Sequence, residues 1–407
     1  MAFFDVPNGE PSMTRNLPNK FAAEFSDLQP DDRFSRHVMV PGWSQKRLSE
    51  SRVLVVGAGA LGNEALKNLT LLGVGELGII DFDVIEPSNL SRCVLFQEED
   101  LGDRKAIVAA KRVRELNPGV IPRPLVTDVM TEVGAGLIEE FDVVLGCLDN
   151  IASRYKLNRL CGMAGVPWLN AGIDAFCGQV SLFDPNEGAC YECGMTTSMW
   201  QRVYERNSCL LPTRHQRETP LATTTILASL TGALQVQEAI AILMGPAQSQ
   251  PWLRLAAGEQ LAIRVNPYDM AVLRLKKSAE CMAHHEAVPT MSIHARPTDM
   301  TASELLMQSE MDSLEVDWDI ATQLECPECG TEEIAAPSWR LREVDLLCRH
   351  CSLHRKPHWN NRIDRRSALA ERTLAELGIP EQAHLWTKDK NGIVHYIKLV
   401  SKKSRAA

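Results

Sequence analysis

Three glycines near the start of the chain, Gly57, Gly59 and Gly62, have the spacing G-x-G-x-x-G. They follow the apolar residues 53–56, which indicates a buried strand that turns into a helix at the glycines. In such a turn the first glycine lets the chain turn, the second lets a phosphate approach the backbone, and the third lets the helix pack on the strand. The N–H groups at the helix start favour an anion. The spacing predicts a nucleotide site, but many nucleotide and dinucleotide folds share it.

Polar side chains follow the next apolar run. Asp81 comes after residues 77–80 and lies about 20 residues beyond the third glycine, the usual place of a ribose-binding carboxylate. Asn89 and Arg92 follow it. A dehydrogenase has no need of this pair, whereas an enzyme that attacks the α-phosphate of ATP must stabilise the charge that develops there. The pattern therefore favours chemistry at a phosphate.

Taken together, these residues resemble the ThiF/MoeB-like adenylating enzymes, the family that includes the ubiquitin-activating enzymes. The family pattern D-x-D-x-V/I-x-x-S-N-L-x-R matches residues 81–92. Residues 33–36 resemble its R-Y-x-R segment, residues 102–105 its G-x-x-K, and residues 147–150 its T/C-x-D-N. Residues 170–180 are similar to the strand pair under its site, and the resemblance extends roughly to residue 285.

The resemblance implies a role for each matched residue. The glycines line the phosphates of ATP, Asp81 binds the ribose hydroxyls, and Asp83 is a second nucleotide-binding carboxylate. The triphosphate is contacted by Asn89, Arg92 and Lys105. Asp149 holds Mg²⁺, and Arg36 reaches a phosphate, in this family often from the partner subunit. Two cations and a metal ion would neutralise the pyrophosphate leaving group. The alternative, an NAD-binding Rossmann domain with Arg92 and Lys105 as surface charges, leaves the other motifs unexplained.

Cys209 lies in a polar stretch, where members of this family commonly carry a cysteine that forms a thioester or persulfide. A reactive thiolate needs partial exposure and nearby positive charge, and Arg206, Arg214, His215 and Arg217 are candidates for it. The residues after Cys209 are longer and more basic than in most members. Thioester transfer is therefore a weaker prediction than adenylation, and the alternative is a cysteine without a role.

Six of the twelve cysteines form three C-x-x-C pairs, which in a chain without a secretory signal indicates metal binding rather than disulfides. The two later pairs have the spacing C-x₂-C-x₁₈-C-x₂-C and predict a zinc ribbon of Cys326, Cys329, Cys348 and Cys351. The first pair, which resembles the family's first zinc half-site, would be completed by C-x-x-H in a second site of Cys190, Cys193, Cys281 and His284. Two alternatives stay open. In the first, His285 is the ligand in place of His284, at the spacing C-x₃-H. In the second, Cys326 and Cys329 join Cys190 and Cys193, which leaves Cys348 and Cys351 without partners.

Composition limits the remaining possibilities. The chain has 407 residues, 45% hydrophobic and 23% charged, and a net charge of −9, so generic nucleic-acid binding is not expected. We find no apolar run whose length approaches the roughly 20 residues of a membrane span, and we find no secretory signal. We therefore expect a cytosolic protein.

Residues 339–366 are basic and carry Trp339 and Trp359, a combination that suits docking of a protein better than binding of nucleic acid. Cys93, Cys147, Cys161 and Cys177 are expected in the core.

The alternation of apolar strands and helical segments predicts an α/β fold, a doubly wound, mostly parallel sheet, with a small C-terminal α+β zinc-binding module. We expect an arm at 1–30, an adenylation domain at 31–286 and a partner-binding module at 287–407. Within them we predict a helix at 31–50, strands at 53–56, 77–80, 143–147 and 168–171, and helices at 61–72, 104–116, 152–165 and 223–243. The remaining predictions are an antiparallel strand at 179–183, a crossover loop at 194–220, short strands to about 276 and a linker at 286–300.

The predicted function is ATP-dependent adenylation of the C-terminal carboxylate of a ubiquitin-like or sulfur-carrier protein, with ATP, Mg²⁺ and Zn²⁺ as cofactors and Cys209 as a possible acyl acceptor. The resemblance implies a homodimer or a dimer with a related subunit, and a conjugating protein is a possible partner. Adenylation of a short peptide and a non-catalytic adaptor remain the alternatives.

Overall fold

The computed structural model describes residues 32–207, 222–245, 254–281, 283–284 and 289–400. The helices there are α1 Gln45–Glu50, α2 Ala60–Leu72, α3 Lys105–Leu116, α4 Ala135–Ile138, α5 Ile151–Ala164, α6 Thr197–Asn207, α7 Thr225–Met244 and α8 Ala302–Gln308. The strands are β1 Arg52–Val56, β2 Glu76–Ile80, β3 Ile121–Leu125, β4 Val143–Gly146, β5 Trp168–Ile173, β6 Cys177–Phe183, β7 Glu259–Val265, β8 Tyr268–Arg274, β9 Thr290–His294, β10 Ser313–Cys326, β11 Gly330–Pro337, β12 Lys356–Asp364, β13 His384–Lys388 and β14 Val394–Val400.

The first sheet has the strand order β3-β2-β1-β4-β5-β6-β7-β8. β1 to β5 run parallel, and β6, β7 and β8 are added antiparallel. In the register of the centre, Val53 lies between Leu77 and Val143. The predicted doubly wound, mostly parallel sheet is confirmed, and the carboxyl ends of β1, β2 and β4 meet at one edge, where ligands of such folds bind.

The sequence analysis missed β3, because Pro122 and Pro124 interrupt its pattern. Proline lacks a backbone N–H and is confined to edge strands. β3 is the terminal strand of the sheet, and its ladder with β2 extends from Ile121 to Leu125. The edge position explains why the two prolines are tolerated.

The predicted helix at 31–50 is wrong over most of its length. Turns cover residues 33–42, and only α1 is helical. Gly42 has a φ of 78°, in the left-handed region, which ends any helix before α1. Another prediction, the loop at 194–220, is wrong where α6 forms, and residues 208–221 lie outside the described segments.

α7 corrects our expectation about apolar runs. It has 20 residues, and a stretch of 18 of them has a mean hydropathy of 1.5, so by length and composition alone the helix is long and apolar enough to cross a membrane. In this fold α7 instead packs against α2, β5 and β6. Thr231 and Gln235 are fully buried along it, and the helix forms part of the protein core.

The second sheet has the order β11-β10-β13-β14-β9, with β12 paired to β10. Residues 290–294, which we predicted as part of a linker, form β9 and pair parallel with β14. The buried residues of this sheet and α8 form a hydrophobic cluster separate from those of the first sheet. The two parts nevertheless touch, since Gln382 accepts a hydrogen bond from the backbone N–H of Gly136 at 2.9 Å and donates one to Glu140 at 3.0 Å.

Candidate functional site

The glycine loop joins β1 to α2, and its three glycines meet different needs. Gly57 has a φ of 96°, and a Cβ there would lie 2.5 Å from the carbonyl oxygen of Cys147. A Cβ at Gly62 would lie 1.8 Å from the carbonyl oxygen of Gly57. At Gly59 no atom lies within 4 Å of such a Cβ. The first and third glycines are therefore required by packing, whereas the second faces open space that a phosphate can enter.

Asp81, directly after β2, is tied to the glycine loop. Its Oδ2 accepts a hydrogen bond from the backbone N–H of Ala58 at 2.7 Å, and its Oδ1 accepts one from Asp83 at 2.8 Å. Burial raises the pKa of the Asp81 carboxyl, although the Lys105 ammonium and the two backbone bonds oppose the shift. The carboxylate thus lies where β2 meets the loop, as a ribose ligand should.

Lys105 begins α3 and faces the same acids. Its Nζ lies 2.9 Å from Oδ2 of Asp83. Burial alone would lower the pKa of Lys105, but the carboxylates of Asp81 and Asp83 outweigh burial and raise it. The ammonium therefore stays charged near the glycine loop, where it can serve a phosphate.

Asn89 and Arg92 lie in a short turn that follows β2. The Oδ1 of Asn89 accepts a hydrogen bond from the backbone N–H of Glu86 at 2.9 Å, so this buried side chain shapes the turn itself. Arg92 is only partly buried, and its Nη1 donates to the carbonyl of Ser88 at 2.6 Å. The turn thus fixes the Arg92 guanidinium through its own backbone.

Asp149 lies just beyond β4 and is exposed. The next residue, Asn150, caps α5 by accepting a hydrogen bond from Ser153 N–H at 2.8 Å and donates to Oδ1 of Asp149 at 3.0 Å. An exposed carboxylate at a strand end is the hard oxygen ligand that Mg²⁺ takes from proteins.

The segment that carries Arg36 packs at the ends of α2 and α3. Within it, Phe34 packs on Gly73, where a Cβ would lie 2.5 Å from the phenyl ring, and Gly73 ends α2. Arg33 donates to the carbonyl of Leu116, at the end of α3, at 2.8 Å. Because α2 starts at the glycine loop and its 13 residues span roughly 20 Å, the segment that carries Arg36 packs at the end of α2 that is remote from the glycine loop of the same chain.

The structure brings Cys190, Cys193, Cys281 and His284 together, with all ligand atoms within 4.8 Å of one another. The Sγ of Cys190 lies 3.9 Å from that of Cys193 and 3.6 Å from that of Cys281. His284 Nε2 lies 3.1 Å from Cys193 Sγ. Burial lowers the pKa of His284 and favours the neutral imidazole, which is the form that binds a metal.

Cys326, Cys329, Cys348 and Cys351 form a second, separate cluster within the same 4.8 Å limit. Hydrogen bonds from the backbone N–H groups of His350 and Cys351 lower the pKa of Cys348 to about 6, so this thiol ionises near neutral pH. The alternative that joined the first two ribbon cysteines to those at 190 and 193 is wrong. The rival ligand His285 lies outside the described residues.

Other sequence predictions have mixed outcomes. Cys93, Cys147 and Cys161 are buried as expected, whereas Cys177 is only partly buried. Cys209 and the arm at 1–30 lie outside the described residues. Sequence reasoning missed the contacts of Arg154 and Arg159 on α5, because neither residue stands out in a motif.

These features define a class: a doubly wound α/β protein with a glycine-loop nucleotide site and two cysteine-rich clusters. The comparison with protein families agrees, because residues 34–283 match the ThiF family. The chain belongs to the ThiF family.

Individual relatives cover only part of the chain. The SAMP-activating enzyme E1 of Haloferax volcanii is 42% identical over 40% of this chain and 61% of its own length. The adenylyltransferase and sulfurtransferase MOCS3 of Xenopus laevis is 37% identical over 40% of this chain and 36% of its own length. The chain thus spans less than two thirds of these relatives.

Among solved structures, that of E. coli MccB with ATP has a TM-score of 0.52 and 22% identity, over 65% of this chain and 76% of MccB. At this identity the likeness concerns the fold.

Proposed function

We propose that this protein is an ATP-dependent enzyme that adenylates the C-terminal carboxylate of a ubiquitin-like or sulfur-carrier protein. One observation carries the proposal: the open Gly59, the acids Asp81 and Asp83 and the cation Lys105 converge at one end of the sheet, and Arg92 lies in the turn that follows these acids. The relatives named as an adenylyltransferase and as a SAMP-activating enzyme support it.

In the proposed reaction the substrate carboxylate attacks the α-phosphate of ATP. A bond forms between a carboxylate oxygen and phosphorus, the bond to the bridging oxygen breaks, and pyrophosphate leaves with the electron pair. Arg92 and Lys105 stabilise the negative charge of the transition state and leaving group, with Asn89 as a further polar contact. Asp149, an exposed carboxylate at a strand end, fits Mg²⁺, which when bound neutralises phosphate charge.

The position of Arg36 supports a homodimer. Since the segment that carries this side chain packs at the end of α2 remote from its own glycine loop, the side chain serves a phosphate only if that phosphate belongs to another chain. An arginine supplied across an interface is an established way to stabilise phosphoryl charge. In a two-fold dimer each chain would complete the site of its partner. A dimer with a related subunit could use the same arrangement.

The two cysteine clusters fit zinc. With Zn–S bonds of about 2.3 Å, tetrahedral geometry places sulfur atoms about 3.8 Å apart. The measured distances from Cys190 to Cys193 and Cys281 are 3.9 and 3.6 Å, and Cys326 lies 3.4 Å from Cys351. Each cluster offers four protein ligands and leaves no coordination position open for substrate, which indicates structural rather than catalytic zinc sites.

A folded protein is a better substrate candidate than a short peptide because of β8. All seven residues of this strand are exposed, and as the last strand of the sheet it has one edge that is unpaired among the described residues. Tyr268, Met270 and Val272 alternate along it and are 90%, 57% and 56% exposed. Exposed apolar strand edges are typical docking surfaces for other β proteins.

We also propose that residues 287–407 act as a partner-binding module, with a conjugating protein as one possible partner, and that the enzyme works in the cytosol without membrane or nucleic acid. Trp339 supports a protein rather than a nucleic-acid partner, because its ring packs within the module, 4.8 Å from that of Trp318 and against Gly378, whereas bases stack on exposed aromatic rings.

ATP–pyrophosphate exchange tests the function. Purified enzyme with Mg²⁺, ATP and labelled pyrophosphate is given a panel of small β-grasp proteins with free C-terminal carboxylates, and the same proteins with amidated C-termini as controls. We expect exchange with at least one free carboxylate and none with its amide. Exchange driven only by short peptides would support the peptide alternative, and no nucleotide binding at all would support the adaptor.

A further inference from the structure

Arg154, in the first turns of α5, joins the ends of two neighbouring strands. Its Nη2 donates a hydrogen bond to the carbonyl of Leu148 at 2.6 Å and another to the carbonyl of Ala171 at 3.3 Å. Leu148 follows β4, and Ala171 belongs to β5. One guanidinium nitrogen with two hydrogens therefore links the segment beyond β4 to the adjacent strand.

The surroundings leave room for this guanidinium. A Cβ at Gly172 would lie 3.1 Å from Nη2 and 3.4 Å from Nη1, so a larger residue there would press on Arg154. Nε of Arg154 is buried and has no hydrogen-bond partner among the described residues. A buried donor without a partner costs free energy, and a shorter or apolar side chain would avoid that cost.

The hydrogen bond from Arg154 to the Leu148 carbonyl restricts the backbone of the next residue, Asp149. Asp149 is exposed. On one side the Leu148 carbonyl is bound by Arg154, and on the other Asn150 caps α5 and donates to the Asp149 carboxylate. The two anchors leave Asp149 little freedom although it faces solvent.

We propose that Arg154 is a positioning residue that orients Asp149 toward the nucleotide-bound Mg²⁺. The inference rests on the proposed function, which makes Asp149 a metal ligand. Arg154 itself touches neither metal nor substrate. It acts through the Leu148 carbonyl, in the way that partners of metal ligands hold them in the geometry that the metal needs.

The experiment measures ATP binding by calorimetry as a function of Mg²⁺ concentration, and again in EDTA, for wild type, Arg154→Lys and Arg154→Met. Loss of the partner of a metal ligand typically weakens metal affinity about 10–100-fold. We expect Arg154→Met to need about 10-fold or more Mg²⁺ for half of the metal-dependent gain in affinity. Arg154→Lys, which keeps a donor, should recover part of the loss. Binding in EDTA should not change.

Lys156→Met is the matched control. This lysine lies on the same helix, but its Nζ is 3.2 Å from Asp317 in the C-terminal sheet, away from the strand ends. It should keep the wild-type Mg²⁺ requirement. If Arg154→Met does not fold, Arg154→Lys must still show a raised Mg²⁺ requirement.

Two results overturn the inference: a wild-type Mg²⁺ dependence in both folded Arg154 variants, or an equal loss of affinity with and without metal. If the affinity of the wild-type protein for ATP does not depend on Mg²⁺, the metal role of Asp149 is overturned as well. If the wild-type protein does not bind ATP, the proposed function itself is overturned.

Discussion

Glu192 and Arg159 form a buried, bidentate ion pair that joins α5 to the first cysteine knuckle, residues 190–193. The guanidinium donates from Nε to Oε1 at 2.6 Å and from Nη2 to Oε2 at 2.7 Å. Glu192 lies between Cys190 and Cys193, and its side chain is only 1% exposed. Burial opposes the charge of Arg159, but the bonds to Glu192 outweigh it and raise the pKa of Arg159. The knuckle is thus fixed to the helix that begins beside Asp149.

Arg159→Met should destabilise the protein strongly. The substitution leaves the Glu192 carboxylate buried without its cation, and breaking a buried pair in this way costs about 3–5 kcal/mol. Urea denaturation measures the change. Arg114→Met, which removes an exposed arginine on α3, is the control and should stay within about 0.5 kcal/mol of wild type. Equal effects of the two substitutions would show that the pair contributes little.

Elemental analysis should find about two zinc ions per chain, one in each cluster of four ligands. Cys281→Ser and Cys348→Ser should each remove one of the ions, because each breaks a different cluster. Cys177→Ser, which changes a cysteine outside both clusters, should remove none. A wild-type ratio near one, or the loss of both ions in one variant, would contradict two independent sites.

Arg92→Ala and Asp149→Ala should abolish adenylate formation and leave the fold intact, because neither side chain lies in the core. The loss of one transition-state contact typically lowers the rate about 10²–10³-fold. Pyrophosphate exchange measures the rate, and circular dichroism checks the fold. Lys111→Ala, an exposed cation of α3, serves as control. Normal exchange in either variant would remove that residue from the proposed site.

Chains that carry Arg36→Ala and chains that carry Arg92→Ala should each be inactive as homodimers but active when mixed. Half of the dimers formed at random are mixed, and each has one complete site, so exchange should recover to about a quarter of the wild-type rate. The mixture is unfolded and refolded together to allow exchange of subunits. Failure to recover, with mixed dimers shown to be present, would place Arg36 outside the partner's site.

Cys209→Ala should retain pyrophosphate exchange and lose any thiol-sensitive adduct with the substrate protein, because the acyl-adenylate forms before a thioester can. Non-reducing electrophoresis with and without thiol detects the adduct, with Cys177→Ser as the control. A reducible adduct in Cys209→Ala would identify another acceptor. If wild type forms no adduct, the reaction ends at the adenylate.

Local spacing in the sequence was sufficient to predict those parts of the site that come from one short segment of the chain. A glycine loop after an apolar run forms the same turn in any doubly wound sheet, so Gly57, Gly59 and Gly62 could be placed without coordinates. The acids after β2 followed for the same reason. β3 could not be predicted from the sequence because it contains two prolines, and proline is unfavourable in a strand except at the edge of a sheet. Whether a strand lies at the edge depends on the whole sheet.

The sequence alone determined the fold class, the nucleotide loop, the strand-end acids and the candidate zinc ligands, since each depends on residues close in the chain. Only the tertiary structure decided which distant groups meet. Cys190 lies 91 positions from Cys281, and the sequence left two pairings of the cysteine pairs open. Packing of β6, β7 and β8 brings these two segments together and so decides between the pairings. The tertiary structure also placed the segment that carries Arg36 at the far end of α2 and brought Glu192 against Arg159 on α5. Side chains so far apart in sequence meet only because the sheet and its helices pack as one unit. The spacing of residues along the chain does not predict that packing.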